Sequence, residues 1–223
     1  MFPALVLAAI LAVPTVPAPV TPHFVSAQQW TEAAYAGYTA RVQVRATNVP
    51  VFVWVGGYLT DGTFVQSGLS LGVAPQVFAW ATQNSYGNVN DPSANPVPLS
   101  WHPLTAAAGS WVGVTLARSG CRWSFSYTDE AGSSHPIGSF DDCDSLRALQ
   151  ANTEYWSDRA ANFGVTALRG LRALSGAGAW VVPPEMFWSA VDCGYERVSS
   201  TTPGNIVFRG ADGSATETWA RLW

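Results

Sequence analysis

From Tyr38 onward the chain breaks into short runs in which apolar and polar residues alternate, each closed by Gly, Pro, Asn or Asp. A period of two turns one set of side chains toward a core and the other away, which is the pattern of half-buried strands. Regular turn signals between such runs point to a sandwich or barrel. The runs that read as strands are 38–46, 51–57, 63–72, 76–83, 111–118, 122–129, 153–158, 163–171, 205–210 and 216–223. A polar, Pro-rich stretch at 84–98 and another near 182–186 read as loops. "DSLRALQ" alone reads as helix, with Asp144 as its N-cap. No repeat and no composition break interrupts 28–223, so one all-β domain is expected.

Composition limits the partners. With 48% hydrophobic and 12% charged residues, the chain can bury a sizeable core and is not disordered. A net charge of -4 without a basic run argues against a nucleic-acid partner. The 11 Trp, 7 Tyr and 10 Phe have two readings: core and cross-strand pairs, or a groove for peptide or sugar.

Residues 1–13 are apolar but too short to span a bilayer, and a Pro-rich spacer follows them. We read 1–27 as a signal peptide with its spacer and 28–223 as the mature, secreted domain. "FVSA" before Gln28 supplies small residues for cleavage. No later run has the length or apolarity of a membrane anchor. Folding the segment 121–143 as a hairpin about Ala131–Gly132 brings Cys121 opposite Cys143, which predicts a disulfide there. Pairing of Cys143 with Cys193 is the rival.

His23, His102 and His135 are scattered without ligand spacing, so no metal site is expected. There is no Gly-rich phosphate loop and no Gly-x-Ser-x-Gly elbow. Carboxylate and amide chemistry remains. Alternation puts Glu154, Trp156 and Asp158 on one strand face, Phe64, Gln66 and Gly68 on another, and Phe52, Trp54 and Gly56 on a third. Were these faces to line one sheet, an amide, a carboxylate and indole rings would meet in one groove. Asp61 in "TDGT" reads as a turn residue, and Asp141, Asp142 and Asp144 read as flanking the disulfide and capping the helix.

"YAGY" (35–38), "WVGG" (54–57), "FVQSG" (64–68), "FAW" (78–80), "GSWVGVTLARSGCRWSFSYTDEAG" (109–132), "NTEYWSD" (152–158) and "ADGSATETW" follow one another as do the strand motifs of the glutamic peptidases. The chain resembles that family, the eqolisins and their bacterial relatives, over nearly all of 28–223. The resemblance implies a double-sheet antiparallel β-sandwich of the concanavalin-like jelly-roll type. It implies a catalytic pair formed by Gln66 and Glu154, with Trp54 beside them. Trp80 and Tyr155 join Trp54 as substrate-binding candidates, although Trp80 is as readily core as platform. Thr82 stands where the family has a Glu, and Asp158 stands where a Glu is usual.

The chemistry implied is that of a secreted endopeptidase acting in acid. Glu154 is the general base for water and Gln66 the amide donor to the oxyanion, with no cofactor, no metal and no covalent intermediate. Its partner would be a protein or peptide substrate, and a monomer is expected. The alternative is a non-catalytic sandwich that binds polysaccharide or peptide in the same aromatic groove.

Overall fold

The computed structural model describes residues 22–47, 50–72, 74–83, 95–156, 165–191, 195–210, 218–221 and 223. Every regular element among them is a β-strand. In chain order these are β1 (Pro22–Gln43), β2 (Val51–Leu59), β3 (Phe64–Leu71), β4 (Gln76–Gln83), β5 (Asn95–Pro103), β6 (Trp111–Ser119), β7 (Arg122–Thr128) and β8 (Ser134–Asp141). There follow β9 (Leu146–Trp156), β10 (Val165–Ser175), β11 (Trp180–Val181), β12 (Phe187–Val191), β13 (Tyr195–Thr202), β14 (Asn205–Gly210) and β15 (Thr218–Arg221).

All pairings are antiparallel, and β1 ties two sheets together. Its first half, Phe24–Gln28, lies between β9 and β12. Its second half, Gly37–Val42, lies between β10 and β6. One layer therefore runs β5-β4-β3-β2-β9-β1-β12-β15, and the other runs β8-β7-β6-β1-β10-β14-β13, with β11 on β10. The expected double-sheet antiparallel sandwich is present.

Alternation builds the core between the layers. Val51, Val53 and Val55 of β2, Val65 and Leu69 of β3, and Val77 of β4 are fully buried with Val112, Val114, Leu116, Trp123 and Leu171 of the opposite layer. Each such side chain contributes about 1.5–3 kcal/mol by leaving water. Thr153 and Thr166, also fully buried, join their hydroxyls across the layers at 3.0 Å, so these inward hydroxyls are partnered.

The helix expected at 144–150 is not formed: Leu146–Trp156 is one strand between β1 and β2. Leu146, Ala148, Leu149 and Ala151 are all buried, so both faces of this strand are covered. A central strand buried on both sides loses its alternation, and its Leu/Ala run then reads equally well as helix. Asp144 caps nothing; its carbonyl accepts the Trp123 indole N–H.

Strands β5, β11, β12 and β13 were not foreseen, nor was the N-terminal half of β1, whereas β8 is the return arm of the expected 121–143 hairpin. In β5, Pro96, Pro98 and Pro103 argue for loop, yet β5 ends its layer, where an edge strand tolerates proline.

The hairpin β7–β8 turns at Asp129–Ser133, with Gly132 at φ 86°. Just past its ends Cys121 and Cys143 are joined in the expected disulfide. Cys193 lies outside the described residues. β1 begins at Pro22, so Gln28, the expected first residue of the mature domain, falls inside a strand paired on both sides.

Candidate functional site

The outward face of the β2–β3–β4 layer carries an apolar cluster of its own. Trp54, Tyr58, Phe64, Phe78 and Ala148 are buried there as a second cluster, with Phe52 and Trp80 packed against it. The register of β9, β2, β3, β4 and β5 lays these residues out in rows. Gln150, Gly56, Gln66 and Trp80 stand opposite one another. The next row holds Asn152, Trp54, Gly68, Phe78 and Trp101, and the one after it Glu154, Phe52, Ser70 and Gln76.

Gly68 is the centre of this array and has no side chain. Its neighbours therefore wall a cleft of about 220 Å³, lined by Phe52, Trp54, Gln66, Phe78, Trp80, Trp101 and Glu154. The glycine is required by spacing as well as by shape. A Cβ on Gly68 would sit 2.3 Å from the Val53 carbonyl oxygen and 2.5 Å from the Trp54 Cβ.

The rings are ordered by edge and face contacts. Phe78 and Trp101 stack at 5.0 Å and 26°, and Phe52 meets both edge-on at 5.9 and 6.0 Å. Phe64 is edge-on to Trp54 and Trp80. Trp101 is 40% exposed although it is a large apolar residue. Such pairs contribute roughly 0.5–1.5 kcal/mol beyond burial and hold the rings in fixed orientations.

Two polar groups open on the cleft. The Trp54 indole N–H donates to Glu154 Oε2 at 3.2 Å, fixing the carboxylate at one end. Gln66 is 7% exposed and its Oε1 has no hydrogen-bond partner. On the same sheet face, the buried Asn152 Oδ1 and Thr82 Oγ1 also lack partners. A buried polar atom left unpaired costs about 1–3 kcal/mol. Three such atoms on one face make it a candidate surface for a ligand that supplies the missing hydrogen bonds.

Of the residues singled out from sequence, Gln66, Glu154, Trp54 and Trp80 are thus brought to one cleft. Gln66 and Glu154 lie on β3 and β9 with β2 between them. Two strand spacings and four residues of register part their backbones, about 10 Å across the sheet and about 13 Å along it. Trp54 stands between the two. Tyr155 has its backbone opposite Val51 in β9, and its side chain lies outside the described residues. Asp158 lies outside them as well. Phe78 and Trp101 were missed as lining residues: "FAW" had drawn attention to Trp80 alone, and the Trp101 strand was not foreseen.

Three carboxylates, Asp61, Asp142 and Asp144, converge elsewhere within 4.8 Å and have the donor type for a hard cation. Each already serves the chain. Asp61 accepts from the Thr63 N–H and hydroxyl, which makes it the turn residue expected. Asp142 accepts from the Asp144 N–H, and Asp144 from the Thr60 hydroxyl. Burial, together with the charges of Asp61 and Asp144, raises the Asp142 carboxyl above its ordinary range. Their distance in sequence hid this grouping.

No family model matches the chain, and no curated protein matches it. Among solved structures, a toad ovary galectin in complex with thio-digalactose is similar at 8% identity, covering 61% of this chain and 96% of the other, with a TM-score of 0.37. The kappa-carrageenase of Pseudoalteromonas carrageenovora, in complex with an oligotetrasaccharide of kappa-carrageenan, aligns at 11% identity over 88% of this chain and 68% of its own, with a TM-score of 0.40. An alginate lyase from Alteromonas sp. 272 aligns at 9% over 91% and 74%, with a TM-score of 0.28.

Proposed function

We propose that the domain is a ligand-binding β-sandwich whose aromatic cleft holds a segment of polysaccharide without cleaving it. The observation that carries this reading is the cleft wall. Five aromatic rings surround a bare glycine, and the outermost, Trp101, offers ring surface to solvent while stacked on Phe78. A sugar ring presents C–H groups on its faces and hydroxyls on its rim. Indole and phenyl faces take the first, while Gln66 and Glu154 take the second.

Among the described lining residues Glu154 is the sole carboxylate, whereas glycoside hydrolysis of the usual kind needs two flanking the bond. Affinity electrophoresis against a panel of polysaccharides tests the reading. Retardation by at least one polymer, lost in Trp101→Ala without a change in melting temperature, is the expected result. Trp101→Ala that binds as wild type does would refute it.

A peptidase reading is favoured by one observation, the opening of the Gln66 amide and the Glu154 carboxylate into the same cleft. In it, Glu154 takes a proton from water and the Gln66 amide stabilises the oxyanion. Both groups would have to reach one carbonyl, each at about 3 Å, across the Trp54 ring. Digestion of denatured casein at pH about 4, abolished in Glu154→Gln, would establish this reading in place of the first.

A further inference from the structure

We infer that the outward face of the other layer, on the far side of the sandwich from the cleft, binds an acidic polysaccharide through Arg41, Arg169 and Arg172. The inference is independent of what the cleft holds. All three arginines are exposed, and an irregularity in the β1–β10 ladder puts them on one face. Arg41 stands directly opposite Arg169, and Thr39 opposite Arg172, so Gly170 and Leu171 together face Ala40. Without that extra residue, positions 169 and 172, three apart, would point to opposite sides of the sheet. Gly170 takes up the bulge at φ 63°, and its N–H donates to Asn205 Oδ1 at 3.0 Å.

Like charges directly opposite across a strand pair destabilise a sheet, and here nothing in the chain offsets them. Among the described residues no carboxylate is paired with any of the three arginines. Their side chains are instead held against the layer. Arg41 Nη2 donates to the Trp111 carbonyl at 3.0 Å, Arg172 Nη1 donates to that of Trp180 at 3.3 Å, and the Arg169 guanidinium lies 4.1 Å over the Trp111 ring. Each keeps further N–H donors in the planar fork that matches a carboxylate. Away from the arginines the same face turns to hydroxyls: Arg172 is opposite Thr39, Thr39 opposite Thr115, and Thr115 opposite Ser126. A polymer laid across the strands thus meets cations first and hydroxyls beyond, the order of groups on a glycan whose carboxylates are interspersed with hydroxyls. A nucleic acid would need a cation at each successive phosphate, on a chain whose net charge is -4.

The test titrates polygalacturonate and its neutral methyl ester against the whole chain at low ionic strength. The wild type is expected to bind the acid about ten-fold or more tightly than the ester, with the gap closing as salt is added. Arg41→Gln/Arg169→Gln should erase most of that preference at an unchanged or higher melting temperature. Arg172→Gln alone should reduce it several-fold, and it answers the question should the double variant melt early. Arg122→Gln/Arg147→Gln removes the same two charges elsewhere, Arg122 being about 20 Å along β7 from the row of Arg41, and should keep the preference within a few-fold. Trp101→Ala, which strips the cleft, should keep it too. No preference for the acid, equal losses in the two double variants, loss in Trp101→Ala instead, or duplex DNA bound as tightly as polygalacturonate would overturn the inference. None of these results bears on the cleft reading, which Trp101→Ala decides with its own ligand.

Discussion

Replacing Gly68 by Ala puts a methyl group where β2 leaves no room. The new Cβ would meet the Val53 carbonyl oxygen at 2.3 Å and the Trp54 Cβ at 2.5 Å, against ordinary contacts of 3.4–4 Å. Relief requires β2 and β3 to part by about 1 Å, and the obstacles are backbone and a Cβ rather than the end of a flexible side chain. Overpacking of this sort costs about 1–3 kcal/mol, and the rigidity of the obstacles puts Gly68→Ala at the upper end. For a chain of 223 residues, 3 kcal/mol corresponds to a fall in melting temperature of roughly 6–12 °C. The same methyl raises the floor of the cleft, so affinity for its ligand should fall as well. Gly72→Ala is the control. Nothing lies within 4 Å of its added Cβ, and the substitution should be neutral or stabilising by up to about 1 kcal/mol. Calorimetric melting of the two variants beside the wild type decides the matter. A Gly68→Ala protein that melts with the wild type would refute the close approach of β2 and β3 on which the cleft geometry depends.

The Cys121–Cys143 link closes a loop with a sequence separation of 22, so the double Ser variant should lose about 3 kcal/mol in urea unfolding. No loss would show that the hairpin holds its own ends. Asp142 binds its proton more tightly in the folded chain than in the unfolded one, because burial and then the charges of Asp61 and Asp144 raise its pKa. Its ionisation therefore lowers stability as pH rises above the ordinary Asp range, about 4. Asp142→Asn keeps an acceptor for the Asp144 N–H. It should raise the urea midpoint at pH 7 and leave it unchanged near pH 3; an equal midpoint at pH 7 would contradict the sign.

Much of the sandwich was legible because β-branched and aromatic runs closed by turn residues mark strands even where, as in β2, both faces are covered. Val51, Val53 and Val55 alternate with Phe52, Trp54 and Gly56, and the structure sends the two sets to opposite sides. The shared face of Gln66 and Trp54 followed from that parity. What alternation cannot reveal is register. The sequence offers no measure of how far β9 slides along β2, and that slide places Gln150 rather than Glu154 in the row of Gln66. The same limit hid Trp101, whose row depends on a bulge between Ala79 and Ala81 in the β4–β5 pairing. Leu146–Ala151 failed for a different reason: with both faces buried and no β-branched or aromatic residue in the run, nothing in it reads as strand.

Because β1 belongs to both layers, the order in which the chain is made matters. Its second half pairs with Trp111–Ala117 and with Leu168–Ser175, and its first half waits for Trp156–Leu149 and then for Phe187–Val191. A ribosome delivers this strand long before its partners, so an extended segment with two open edges must be kept from pairing elsewhere until most of the chain has emerged. The pairing with β9 sets Phe24 against Glu154 and so steadies the strand that carries the cleft carboxylate. The carboxylate end of the cleft can therefore be completed only once Glu154 has emerged and joined a segment made long before it.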